Sequence, residues 1–169
     1  MNDQIPPIPT GTVTLGPLGP EVRVARRYRA PIEDVWAAMT ESARLERWIG
    51  RWEGHPATGS VTFFMTAEGD EVEGGEFRIL ECAPPHRFAA ETTAGGQPWQ
   101  VRFDLTHEDG VTTVAFTQTL GSDDPATMGP GWEYYLDRLG AVLDGRDPAA
   151  VTFEQYYPAM RDHYAGHTP

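Results

Sequence analysis

The side chains with the widest chemical reach in this sequence are its single cysteine, a few histidines and a surplus of aromatic rings. Cys82 could act as a nucleophile only beside a base or a cation. It falls in an apolar alternation, which is the pattern of a buried, inert thiol. His86 and Arg87, after Pro84-Pro85, stand at a strand start where a histidine can serve as general acid or base, but with no identifiable partner the segment reads as a surface turn. His163 and His167 have the i, i+4 spacing that presents two imidazoles on one helix face. Gly166 between them points to a fraying end instead. Glu68, Asp70, Glu71, Glu73 and Glu76 lack the order of a calcium loop and read as a solvated hairpin. There is no phosphate-cradling glycine loop, nucleophile elbow or helical zinc motif. The sequence thus assigns no catalytic residue, no metal and no cofactor.

Binding is the chemistry that the pattern supports. Trp36, Phe63, Met65, Phe103, Phe116, Trp132, Tyr135, Leu136 and Leu139 are expected to face inward from a sheet and a final helix. Rings line cavities well because they give large apolar area with few rotamers. The same residues would also fill an ordinary core. Gln118, Tyr135 and Tyr28 could each aim a hydrogen-bonding group at a ligand, or be satisfied by neighbouring backbone.

The elements that must position these residues are legible in the periodicity. Thr12 to Leu15 and Glu21 to Arg29 read as strands around a Gly/Pro turn, with Val22, Val24 and Tyr28 on one face. Arg23, Arg26, Arg27 and Arg29 read as a solvated edge or face. Pro31 suits a helix start, and Ile32, Val35, Trp36 and Met39 form its apolar stripe. Leu45, Trp48 and Ile49 form a second, shorter stripe closed by Gly50. From Ser60 to Leu120 the period is two, with Val61, Phe63 and Met65; Leu80 and Cys82; Phe88 and Ala90; Val101, Phe103 and Leu105; and Val114, Phe116 and Gln118 as successive buried faces. Turn signals fall at Glu68-Gly69-Asp70, Pro84-Pro85, Gly95-Gly96 and Glu108-Asp109-Gly110. A polar loop from Ser122 leads to Gly131, where a helix carrying Trp132, Tyr135, Leu136, Leu139 and Leu143 begins and runs to Gly145.

Composition bounds what such a chain can do. At 169 residues, 40% hydrophobic and 22% charged, it suits one domain with a real core. A formal net charge of -12 disfavours nucleic acid and anionic membrane surfaces as partners. One cysteine excludes an internal disulfide and suits a reducing compartment, so a cytoplasmic location is expected, with no secretory leader and no membrane span.

Ala30-Pro31-x-x-x-Val35-Trp36, Leu45-x-x-Trp48, the run Ile79-Leu80-Glu81-Cys82-Ala83-Pro84-Pro85-His86-Arg87-Phe88, and Gly131-Trp132-x-x-x-Leu136-x-x-Leu139 together resemble the SRPBCC or START-like superfamily, in the branch named after activators of the heat-shock chaperone ATPase. The resemblance implies an α+β helix-grip fold over residues 11–145: a curved antiparallel sheet wrapped around a long C-terminal helix, with two short helices after the first long strand. It also implies a cavity between sheet and helix that takes a small hydrophobic or aromatic ligand. Alternatives within the same resemblance are a co-chaperone-like protein-interaction module, with a homodimer or a chaperone as partner, and a polyketide cyclase or hydrolase-like enzyme. Residues 1–10 are expected to form a loose arm. Residues 146–169 form an aromatic extension whose Phe153, Tyr156, Tyr157 and Tyr164 should cover the core or a second subunit.

Overall fold

The period-two segments become one antiparallel sheet in a computed structural model that describes residues 6–68, 73–93 and 98–166. The strands are β1 (Thr12–Gly16), β2 (Gly19–Tyr28), β3 (Arg51–Glu53), β4 (Ser60–Phe64), β5 (Gly75–Ala83), β6 (Arg87–Thr92), β7 (Trp99–Glu108) and β8 (Val111–Thr119). Their lateral order is β1-β2-β8-β7-β6-β5-β4-β3, so β3 to β8 form a meander that returns to pair with β2. Helices α1 (Ile32–Thr40) and α2 (Ser42–Leu45) carry the chain from β2 to the far edge. The long helix α3 (Pro125–Leu143) packs against β2, and α4 (Arg161–Ala165) packs against α3. This is the α+β helix-grip arrangement expected from the sequence. The turns expected at Gly69-Asp70 and Gly95-Gly96, with Asp70, Glu71 and His167, lie outside the described residues.

The tryptophans that follow α1 complete its C-terminus. A helix leaves its last carbonyls without intrahelical donors. Here the Trp48 indole N–H donates to the Ala38 carbonyl at 2.8 Å and the Trp52 indole N–H donates to that of Thr40 at 2.8 Å. Ser42 Oγ bridges to the Trp52 backbone, accepting from its N–H and donating to its carbonyl. The α1–β3 corner is thereby fixed by the same rings that face the interior.

Two departures from the sequence reading have clear physical causes. In β5 the pairing shifts between Ile79 and Glu81, so an extra residue, Leu80, is accommodated by a bulge and left 43% exposed. The inward residues are Phe77 and Ile79 before the bulge and Cys82 after it, and Cys82 is exposed at its own end of the strand. Helix α3 begins at Pro125, not Gly131, because Asp124 caps it by accepting from the Ala126 N–H at 3.0 Å and Pro125 occupies its first turn. Pro130 therefore lies inside the helix.

The outer side of α3 is covered by the two ends of the chain, joined through one buried carboxylate. Glu133 is 0% exposed. It accepts from the Thr10 N–H at 2.7 Å, the Gly11 N–H at 2.9 Å, the Thr10 hydroxyl at 3.1 Å, the Arg26 guanidinium and the Tyr164 hydroxyl. Arg26 also donates to Asp137 at 2.7 Å, and Asp137 accepts from the Tyr156 hydroxyl at 2.6 Å. Arg26 is thus paired against α3, not solvated, and Thr10 is anchored, not loose. Tyr156, Met160 and Tyr164 are buried in the core of their own chain, whereas Phe153 is 38% exposed.

Gly129 makes room for this tail. A Cβ there would collide with the Tyr164 ring, which is fully buried and has nowhere to turn. Replacing a helical glycine with alanine ordinarily gains up to about 1 kcal/mol. At this position overpacking outweighs that gain, and Gly129→Ala is expected to lose about 1–3 kcal/mol in urea unfolding. A stabilised variant would show that Tyr164 is not seated there.

Candidate functional site: an aromatic cavity beside the long helix

One helix cannot cover this sheet. Strands spaced about 4.8 Å apart make eight of them roughly 34 Å wide, whereas a helix with its side chains is about 10–12 Å across and covers two or three strands. Helix α3 lies over the β2 side. The concave face of β4 to β8 is left facing an open volume of about 850 Å³, closed at one end by α1 and the turn after α2.

That volume is lined by aromatic side chains from nearly every element around it. All five tryptophans of the chain, Trp36, Trp48, Trp52, Trp99 and Trp132, contribute to the wall. Trp48 and Trp52 are held by their indole N–H bonds to α1, and Trp36, Trp99 and Trp132 by ring contacts. Phe116 and Trp132 lie 4.0 Å apart between centroids, Trp36 meets Phe103 edge-on at 5.8 Å, and Phe88 stacks on Phe103 at 5.1 Å. Phe63, Phe77 and Trp99 form an edge-to-face series at 5.5 and 5.7 Å. Such tilted and edge-on pairs are the favoured arrangements of aromatic quadrupoles.

Of the residues singled out in the sequence, Trp36, Phe63, Met65 and Phe103 line the cavity, as do Phe116, Gln118, Trp132 and Tyr135. Leu136 and Leu139 do not. Both are 0% exposed in the packed half of the core, where the Tyr28 hydroxyl donates to the Leu136 carbonyl at 2.6 Å. Tyr28 is accordingly satisfied by backbone, and burial pushes its hydroxyl well above the ordinary tyrosine range. The sequence reading missed Trp52, Phe77, Trp99 and Met128. Phe77 shared its alternation with Ile79, out of phase with the Leu80-Cys82 pair that was read as inward. Trp52 sits four residues after Trp48, within the same corner.

Polar groups are sparse inside. Gln118, 2% exposed, is the clearest: its Oε1 accepts the Trp132 indole N–H, and among the described residues its Nε2 donates only to the Met128 sulfur, at 3.9 Å. Glu73, Cys82 and Asp123 border the cavity but are exposed, marking where it meets solvent, and Phe153 from the tail packs edge-on against Tyr134 at the rim. Among the described residues no group of three or more His, Cys, Asp or Glu side chains could hold a metal ion, and no helix is long and apolar enough to cross a membrane.

A family model described as "Activator of Hsp90 ATPase homolog 1-like protein" matches residues 29–144. No curated protein matches the chain. Among solved structures, CalU16 from Micromonospora echinospora has a TM-score of 0.67 at 22% identity, over 93% of this chain and 94% of that one. The protein encoded by gene BPP1335 of Bordetella parapertussis has a TM-score of 0.69 at 23% identity, over 88% and 86%. The Aha1 dimer from Colwellia psychrerythraea has a TM-score of 0.59 at 18% identity, over 73% and 95%. Similarity at this level concerns the fold. The matched region ends just after α3, before the tail that carries Tyr156 and Tyr164.

Proposed function

The chain belongs to the Activator of Hsp90 ATPase homolog 1-like family, and on that premise we propose that it binds a small hydrophobic or aromatic molecule, without chemical change, between the sheet and α3. One observation carries this reading: an open volume of about 850 Å³ into which every tryptophan of the chain contributes. Protein interiors are close-packed and tolerate few voids larger than a water molecule. A volume of this size falls within the roughly 300–1,000 Å³ of small-molecule sites, and an aromatic wall left uncovered by α3 gains most when an apolar ligand displaces water from it.

The absence of a role for catalysis in this reading rests on where the ionisable groups stand. A general acid or base must come within hydrogen-bond reach of the reacting atom. Among the described residues the ionisable groups that border the cavity are Glu73, Cys82 and Asp123, exposed at its edge, and the phenols of Tyr134 and Tyr135, while the amide that reaches inside, Gln118, is neutral.

Ala90 offers a test of location. It is 1% exposed on β6, between Ile79 and Val101, and lines the cavity. N-phenyl-1-naphthylamine, a neutral dye that brightens in apolar surroundings, is expected to bind the unmodified chain with roughly micromolar affinity, about 8 kcal/mol. Ala90→Phe adds a ring to this wall, so dye affinity should fall more than tenfold in a variant that still unfolds cooperatively in urea. Equal binding by both proteins would remove this cavity as the site.

A further inference from the structure

The walls of the cavity specify more than an apolar occupant, and the specification comes from Gln118. Its backbone is fixed in the sheet, opposite Val22 on β2 and Val101 on β7. The orientation of its amide is fixed chemically. An indole N–H is a donor only, so the Trp132 N–H must meet the amide oxygen, and the NH₂ group is turned the other way. That NH₂ has two protons to place. Among the described residues its hydrogen-bond partner is the Met128 thioether at 3.9 Å, a weak acceptor on a flexible side chain. A 2% exposed amide donor bordering a cavity of this size requires an acceptor, because a buried donor left unpaired costs about 1–3 kcal/mol.

We propose that Gln118 is the specificity-determining residue of the cavity and that the ligand is an aromatic molecule carrying an acceptor oxygen, of the ketone, quinone or ether kind, which takes a hydrogen bond from Gln118 Nε2. The inference rests on the ligand-binding reading given above and narrows it. The Trp132 indole, tilted against Phe116, forms the apolar surface next to the donor, so a flat ring lying on it brings a substituent oxygen toward the amide. A ligand with a donor in that place would leave the NH₂ facing another N–H or O–H. An acidic ligand is disfavoured too, since among the described residues no Lys, Arg or His borders the cavity.

Two probes of nearly equal shape separate the readings: 2-acetylnaphthalene, which has a carbonyl oxygen, and 2-isopropenylnaphthalene, in which a methylene replaces it. The unmodified chain should bind the ketone about tenfold more tightly by titration calorimetry, the worth of one buried hydrogen bond. Gln118→Met, close in length but without the amide, should erase that preference, so that the ketone and the hydrocarbon bind with equal affinity. The carbonyl stretch of the bound ketone gives a measurement that needs no variant, and it should lie at lower frequency than in hexane. Equal affinity for the two probes in the unmodified chain, or an unshifted carbonyl, overturns the role of Gln118 while leaving a binding cavity. If neither probe binds, both the inference and the reading under it fall.

Discussion

Replacing Glu133 with alanine is expected to cost about 3–5 kcal/mol of stability, the loss typical when one partner is removed from a buried ion pair. The charge of Arg26 would remain largely buried with Asp137 as its one carboxylate partner among the described residues, and the backbone N–H groups of Thr10 and Gly11 would lose their acceptor. Urea unfolding checks the magnitude, and a change under 1 kcal/mol would show that the two chain ends are not held through this carboxylate. The pH dependence has a definite sign. Burial opposes ionisation of Glu133, but the hydrogen bonds from Tyr164 and Arg26, the Arg26 charge and the Thr10 N–H outweigh it and hold the carboxyl below its ordinary range. A group whose folded-state pKa is lowered stabilises fully above its unfolded pKa, about 4.3 for glutamate, and ceases to do so as pH falls through the folded value. Melting temperatures of the unmodified chain should therefore fall on acidification below about pH 4, and those of Glu133→Gln should fall less steeply. Parallel profiles would contradict the assignment.

Tyr164→Ala is expected to be comparably damaging, at about 3–5 kcal/mol, because it empties a fully buried ring site against Gly129 and removes a donor from Glu133. Tyr164→Phe keeps the ring and isolates the hydroxyl, whose hydrogen bond to a charged acceptor is worth about 1.5–3 kcal/mol. Because Glu133 and Tyr164 share that contact, the losses from Glu133→Ala and Tyr164→Phe should not add when combined. Strict additivity in denaturant unfolding would mean that the hydroxyl is not bonded there. The result matters for the family comparison, since the tail lies beyond the matched residues 29–144 and yet supplies Tyr156, Met160 and Tyr164 to the core.

The architecture was legible from sequence because it is written in two periods: alternation from Ser60 to Leu120, and the stripe from Trp132 to Leu143. What escaped has physical causes at particular residues. A bulge breaks period two without leaving a compositional mark, so Leu80 was assigned to the face that Phe77 and Ile79 occupy. Gly129-Pro130-Gly131 resembles a helix boundary, whereas Gly129 serves the packing of Tyr164 inside an established helix. Arg26 shares the two-residue phase of Val24 and Tyr28, but nothing local announces a carboxylate more than a hundred positions away. For the cavity, the sequence named residues that face inward and could not separate those under α3 from those beside it. Leu136 and Leu139, on α3 itself, are packed away from the cavity and Trp36 and Phe103 border it, because a helix is narrower than an eight-stranded sheet.

The most direct test of the binding cavity is a ¹⁵N-resolved titration of the protein with N-phenyl-1-naphthylamine, following the five indole N–H signals together with the backbone amides. Saturable shifts are expected at the Trp36 and Trp132 indoles, in step with the amides of Phe116 and Gln118, while those of Tyr156 and Tyr164 behind α3 stay in place. Indole signals that do not move at saturating dye, or shifts confined to the tail, would contradict it.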